Sequence, residues 1–100
     1  MTNFAKRFDF GLAIVALKQG KRVAREGWNG KGMWLELVLS IRNIPAGGTD
    51  MPVYRLTGAG AGSEPKALPW IGMKTAQNEF VPWLASQSDM LAEDWTLVEP

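Results

Sequence analysis

The clearest helical pattern in the chain lies near its start, over about residues 10–19. Apolar side chains recur there with the three- and four-residue spacing of one helix face. Asp9 is a good N-cap, and Gly20 suits the left-handed conformation that ends many helices. We expect one helix that is apolar on nearly all sides, covered by a sheet and by a second subunit. The central stripe consists of Phe10, Ala13, Ile14 and Leu17.

Alternating apolar and polar residues predict strands in the rest of the chain. Residues 33–40 alternate most clearly, and the face that begins with Met33 should belong to the core. Pro82 lacks a backbone donor, which places its strand at an edge or a bulge. Ser88 is expected to cap a single helical turn over 89–93. The other predicted strands are 22–25, 53–57, 70–75, 80–84 and 95–98.

These elements predict an α+β fold in which one N-terminal helix packs on an antiparallel sheet of four to six strands. One hundred residues are enough for one domain with a modest core. Gly and Pro are frequent after residue 43, and a flexible insertion is expected at about 41–68. We therefore expect residues 1–100 to form a single small domain.

Composition removes most catalytic chemistry. The chain has neither His nor Cys, which excludes a Cys/His zinc site, a thiol nucleophile, a Ser-His-Asp triad and an imidazole base. Asp89 with Glu93 or Asp94 remains as an acid/base pair, although capping of a short helix explains these acids more simply. We expect no enzyme activity, no metal and no cofactor, with a carboxylate-based nucleotide hydrolase as the alternative.

Charge is divided along the chain. The first 50 residues hold eight Lys/Arg and four Asp/Glu, whereas the last 50 hold three and six. A binder of nucleic acid polymers would need a stronger basic excess, but a small anionic ligand needs only a local basic patch.

The longest stretch without a charged residue, 80–88, is nine residues, far below the about 20 that cross a membrane. The expected location is the cytoplasm.

Tryptophan is abundant, with five residues in the chain. Trp28 lies in a glycine-rich turn that should leave its ring projecting, with Arg25 and Asn29 beside it. Such a ring can stack on a base while a cation balances the phosphates. We therefore expect a nucleotide-binding surface around Trp28.

A second aromatic site is possible around Trp83. Ser86 and Asp89 follow it and offer hydrogen bonds to a base edge or to ribose hydroxyls, although a core tryptophan before a capped turn explains the same residues equally well. Trp95 alternates with Leu97 and should lie in the core. The remaining two tryptophans, Trp34 and Trp70, are assigned to packing or to a subunit interface.

Two long blocks of the sequence resemble a family of small phage and prophage proteins. The first reads Val-Ala-Arg-Glu-Gly-Trp-Asn-Gly-Lys-Gly-Met at 23–33. The second contains Trp-Ile-Gly-Met-Lys-Thr at 70–75, Phe-Val-Pro-Trp-Leu-Ala-Ser-Gln-Ser-Asp at 80–89 and Ala-Glu-Asp-Trp at 92–95. In their order and length these blocks resemble those of the Thoeris anti-defence proteins of the second type. The resemblance extends from about Phe8 to Val98 and leaves residues 41–68 unmatched.

The resemblance implies a homotetramer that binds glycocyclic ADP-ribose without cleaving it. The Thoeris effector would then stay inactive in the cytoplasm of the infected or lysogenic host. Some relatives also look able to hold cyclic di- or trinucleotides of the CBASS type at a separate site, which here depends on 41–68. A structural or partner-binding phage protein is the remaining alternative.

The ligand-binding residues expected from the chemistry and the resemblance together number eight. Arg25, with Lys74 as the second choice, should hold the pyrophosphate, because a guanidinium fits phosphate better than an ammonium does. Trp28 should stack on an adenine. The full set is Arg25, Trp28, Asn29, Met73, Lys74, Trp83, Ser86 and Asp89.

Overall fold

Five strands of the protein pair antiparallel into one sheet, and the N-terminal helix packs on one face of it. The computed structural model describes residues 3–28, 32–40, 51–54 and 68–99. Its elements are α1 (Phe10–Lys18), β1 (Arg22–Arg25), β2 (Trp34–Ser40), β3 (Val53–Tyr54), β4 (Trp70–Lys74), β5 (Phe80–Pro82), α2 (Gln87–Leu91) and β6 (Trp95–Val98). The α+β prediction, with one N-terminal helix on an antiparallel sheet, is confirmed.

The strand order in the sheet is β5-β4-β2-β1-β6, and β3 pairs with β2 in parallel beside this path. The register pairs Val23 with Leu35 and Leu35 with Met73, so these three side chains share one face. Trp34 pairs with Lys74, which puts both residues on the opposite face. The sheet therefore separates the predicted chemical groups into two sets.

Helix α1 begins and ends close to where the sequence predicts. The Asp9 carboxylate accepts a hydrogen bond from the Leu12 backbone N–H at 2.9 Å. Gly20 follows the helix with φ of 84°, a conformation that glycine adopts without strain. The helix buries one side against the sheet, while Val15 on the other side is 37% exposed. The core cluster consists of Phe8, Ala13, Ala16, Leu17, Val23, Leu35 and Trp95.

The face of the sheet opposite α1 is rich in aromatic and basic side chains. The Arg22 guanidinium carbon lies 4.5 Å from the centroid of the Trp34 ring, and Lys74 Nζ lies 4.9 Å from it. Next to this group the Phe80 ring covers Gly72, where a Cβ would overlap the ring. A side chain at position 72 would therefore displace the Phe80 ring from its place over β4.

Two sequence predictions need correction. Ser86, not Ser88, caps α2, because its hydroxyl accepts from the Asp89 N–H while the Asp89 carboxylate accepts from the Ser86 N–H. Strand β5 ends at Pro82 and not at residue 84, although the Trp83 N–H still donates to the Ile71 carbonyl at 3.0 Å.

Most of the predicted insertion at 41–68 lies outside the described residues, and so does the end of the predicted strand 53–57. In the part of the chain that is described, no helix has the length and apolar character to cross a membrane.

Candidate functional site

Four aromatic rings meet where α1, the turn after β1, the segment after β5 and β6 come together. Trp95 is fully buried at the centre. Its ring centroid lies 5.5 Å from those of Phe10 and Trp28 and 6.0 Å from that of Trp83. We call Phe10, Trp28, Trp83 and Trp95 the ring cluster.

Trp28 and Trp83 are two of the three partly exposed rings of the ring cluster, and Phe10 is the third. The two tryptophans are half-buried, and their centroids are 6.5 Å apart. The Trp28 ring meets Trp95 at an interplanar angle of 78°, an edge-to-face arrangement that aromatic pairs favour. The Trp28 ring therefore does not project alone from its turn, as the sequence indicated, but packs on the core with part of its surface open.

Arg25 lies beside the ring cluster at the end of β1 and binds two carboxylates. Its Nε donates to Asp94 Oδ1 at 3.0 Å, and its Nη1 donates to Asp89 Oδ1 at 3.0 Å. The exposed fractions of the three side chains are 23% for Arg25, 14% for Asp89 and 30% for Asp94. We call these three residues the acidic clamp, because it contains one cation and two anions.

Each carboxylate of the acidic clamp is also bonded to the framework of the site. Asp94 Oδ2 accepts from the Gly27 N–H at 3.3 Å, and the Asp94 carbonyl accepts from the Glu26 N–H at 2.9 Å. Asp89 Oδ2 accepts from the backbone N–H and the hydroxyl of Ser86, at 3.0 and 2.8 Å. The clamp therefore connects the end of β1 and the turn after it with α2 and with the segment before β6.

These contacts keep both carboxylates ionised. Burial raises the pKa of Asp89, but hydrogen bonds from Ser86 and from Arg25 outweigh burial, and the pKa lies below its ordinary value of 3.8. Burial also raises the pKa of Asp94, and the bonds from Arg25 and the Gly27 N–H again bring that pKa below the ordinary value. The hydrogen bond to Asp94 and then that to Asp89 raise the pKa of Arg25.

The structure brings five of the eight predicted residues together: Arg25, Trp28, Trp83, Ser86 and Asp89. Met73 packs against the core on the α1 side of β4. Lys74 lies on the opposite face, where its Nζ donates to the Gly32 carbonyl at 2.8 Å. Asn29 lies outside the described residues. The described chain therefore offers the ring cluster one of its two predicted phosphate-binding cations.

Sequence reasoning did not identify Phe10 or Asp94 as parts of this site. Phe10 belongs to the predicted core stripe, and nothing in a helical period shows which aromatic ring it will meet. From the sequence, Asp94 is a candidate only as an acid/base partner of Asp89. The one signal in the sequence is the excess of acidic residues in the second half of the chain, which indicates that a basic residue such as Arg25 can pair with carboxylates there.

A cleft of about 400 Å³ lies elsewhere, at the C-terminal end of α1. Its polar side chains include the ion pair of Arg22 and Glu36, with Nε and Oε1 3.1 Å apart. None of the eight predicted residues lines it. Over the described residues, no group of three or more acidic side chains is placed to hold a metal ion. The cleft is lined by Gln19, Gly20, Lys21, Arg22, Glu36, Leu97, Val98 and Glu99.

The chain is similar to known proteins over a range that includes every residue of this site. Residues 8–98 match the family model described as the Thoeris anti-defense 2-like domain. The chain is also 41% identical over 92 residues to a protein of Bacillus phage SP01 named Thoeris anti-defense 2. That alignment covers 92% of this chain and 96% of the relative. Both the ring cluster and the acidic clamp fall within the matched residues.

The lowered pKa values of Asp89 and Asp94 predict a loss of stability in acid. A carboxyl with a lowered pKa in the folded state stabilises the fold above its unfolded pKa, and this contribution is lost as the pH falls through the folded pKa. We expect the free energy of unfolding to decrease between about pH 5 and about pH 2. The double variant Asp89→Asn/Asp94→Asn should be less stable at neutral pH and less sensitive to acid.

Urea unfolding over this pH range measures the effect. The matched control is Glu93→Gln, which removes an exposed carboxylate between the two aspartates in the sequence. The control should keep the wild-type dependence on pH. An unchanged pH dependence in the double variant would contradict the assignment.

Proposed function

Because the chain belongs to the Thoeris anti-defense 2-like family, we propose that it blocks Thoeris defence by sequestering a signalling nucleotide, glycocyclic ADP-ribose, without cleaving it. The observation that carries this proposal is the ring cluster, where two half-buried tryptophans lie beside the acidic clamp. An aromatic plane next to hydrogen-bonding groups is the combination that a base and its ribose require. The protein would act in the cytoplasm of the host cell.

The accessible surfaces of Trp28 and Trp83 are the proposed stacking surfaces. Their faces are inclined at 57° to each other, with the centroids 6.5 Å apart. Stacking of a base on such a ring contributes about 1–3 kcal/mol. Ser86 and Asp89 would offer hydrogen bonds at the edge of this surface, and Asn29 would add an amide.

Sequestration agrees better with the state of the carboxylates than hydrolysis does. A general acid must hold a proton at neutral pH, and a useful one has a pKa near the working pH. The pKa values of Asp89 and Asp94 lie below 3.8, so both groups are ionised and bonded to Arg25 at neutral pH. The chain also has no His or Cys to take their place.

A homotetramer with composite ligand sites forms part of the proposal. Leu84 is 92% exposed and Leu91 is 79% exposed, and both lie in the segment that follows β5. Such side chains favour burial between subunits. Lys74 and the ring cluster are on opposite faces of one protomer, so Lys74 would reach a nucleotide on the cluster from a second subunit. Binding of cyclic di- or trinucleotides at a separate site would involve the segment 41–68.

The first test asks whether the bound nucleotide stays intact. The protein is incubated with glycocyclic ADP-ribose, separated from unbound nucleotide and denatured by heat, and the released material is compared with the input by chromatography. One unchanged peak that again activates the Thoeris effector is expected. A new product that disappears in Asp89→Asn would make the protein a hydrolase, and release of no nucleotide would favour a structural or partner-binding role.

The second test concerns stacking on Trp28. Trp28→Ala should weaken binding by about 1–3 kcal/mol, or about 5- to 150-fold, in isothermal titration calorimetry. Trp28→Leu keeps an apolar side chain against Trp95 but removes the stacking plane, so it should lose a similar amount while folding normally. The control Trp70→Leu changes a ring on the other face, at the opposite end of β4 from Lys74, and should bind like the wild type. Wild-type affinity in a folded Trp28→Leu variant would show that Trp28 only packs.

The third test measures the assembly. Light scattering should return about four times the chain mass of 11.0 kDa at micromolar concentration. Leu84→Ser/Leu91→Ser should lower this mass, because both substitutions place hydroxyls where apolar surface would be buried. A wild-type mass of 11.0 kDa at all concentrations would remove the tetramer and the composite sites with it.

A further inference from the structure

Two donor groups of Arg25 face carboxylates within the protein. Nε and Nη1 each donate to an aspartate at 3.0 Å. When all three groups are ionised, the acidic clamp carries one positive and two negative charges. A pyrophosphate brought to Arg25 would meet two carboxylates as well as the guanidinium, and like charges at close range repel. This electrostatic arrangement does not favour an anion.

Both aspartates connect Arg25 with a tryptophan of the ring cluster, Asp94 through its carboxylate and Asp89 through its backbone carbonyl. Asp94 Oδ2 accepts from the Gly27 N–H at 3.3 Å, directly before Trp28. The Asp89 carbonyl accepts from Trp95 Nε1 at 3.0 Å. Arg25 thus holds the turn that carries one ring and the short helix that orients another.

We propose that Arg25 is a positioning residue of the nucleotide site, which acts through Asp94 and Asp89 on the tryptophan rings and leaves the pyrophosphate to bind elsewhere. The inference rests on the proposed function and replaces the phosphate contact that the sequence indicated for Arg25. It explains why a guanidinium stands here, since one planar group with several donors can bond two carboxylates at once. A lysine has a single nitrogen and cannot reproduce both bonds in the same geometry.

Removal of Asp94 distinguishes the two roles of Arg25 by the direction of the change. If Arg25 positions the rings, Asp94→Ala should weaken binding of glycocyclic ADP-ribose by about fivefold or more, because the turn before Trp28 loses its anchor. If Arg25 binds the pyrophosphate, the same variant should bind more tightly, because a competing negative charge is gone. Asp94→Asn is the second variant, which keeps the side-chain size if the alanine variant does not fold.

The matched control is Glu26→Ala. Glu26 lies in the same turn and pairs with Arg7, with both side chains 51% exposed. This control removes one negative charge next to Arg25 without touching the clamp. The affinity of the Glu26→Ala variant should equal that of the wild type. Tighter binding in both Glu26→Ala and Asp94→Ala would indicate a general effect of charge and would overturn the inference.

A spectroscopic measurement without nucleotide completes the test. Near-ultraviolet circular dichroism reports the packing of tryptophan rings, and it should change in Asp94→Ala and in Arg25→Lys while the far-ultraviolet spectrum is retained. An unchanged near-ultraviolet spectrum would overturn the inference. If the wild type binds no nucleotide, the proposed function fails, and this spectrum alone still decides whether Arg25 positions the rings.

Discussion

The double ion pair of Arg25 is the interaction on which the arrangement of the site depends. It joins residues that are 64 and 69 positions apart in the chain, and so brings the end of β1 to α2 and to the segment before β6. Partly exposed ion pairs contribute little to stability by themselves. Their effect here is geometric. Asp94 also bonds the Gly27 N–H before Trp28, and the Asp89 carbonyl accepts from the Trp95 indole N–H, so the ion pairs hold the segments that carry these rings.

The sheet divides the aromatic residues of the chain between two environments. The α1 side carries the ring cluster, in which Trp95 is buried and Trp28 and Trp83 remain partly open. The other side carries Trp34 under two cations and Trp70 beside Phe80, with ring centroids of the latter pair 6.4 Å apart. The fold therefore places the five tryptophans in chemically different surroundings.

The sequence was sufficient for the fold because the informative signals are local. The cap at Asp9, the stop at Gly20 and the alternation in the first half of β2 each act within a few residues, and the structure has all three. In the second half of β2 the alternation is lost, because Val38 on the predicted outer face is buried as well as Leu39. The corrected cap of α2 shows the limit of such reasoning. Ser86 and Ser88 are equally good N-cap residues, and Ser86 is selected because Asp89 lies three positions later and completes the capping box.

The site was less predictable because its decisive contacts join distant parts of the chain. The sequence identified Arg25, Trp28, Trp83 and Asp89 as candidates, and these residues do lie together. It could not show that Arg25 would face two carboxylates, or that Lys74 would point from the other side of the sheet. The face of Lys74 follows from strand register, since one residue along a strand changes the face that a side chain occupies. The partners of Arg25 depend on α2 and on the segment before β6, which place Asp89 and Asp94 next to it.

The most direct test of this account is a nuclear magnetic resonance titration of the five tryptophan indole N–H signals with glycocyclic ADP-ribose. Each indole has one N–H group and gives one signal, so the five together report which face of the sheet the nucleotide contacts. The account predicts that the signals of Trp28 and Trp83 shift on binding, while that of Trp70 changes little. Shifts confined to Trp34 and Trp70, or no shifts at all, would contradict it.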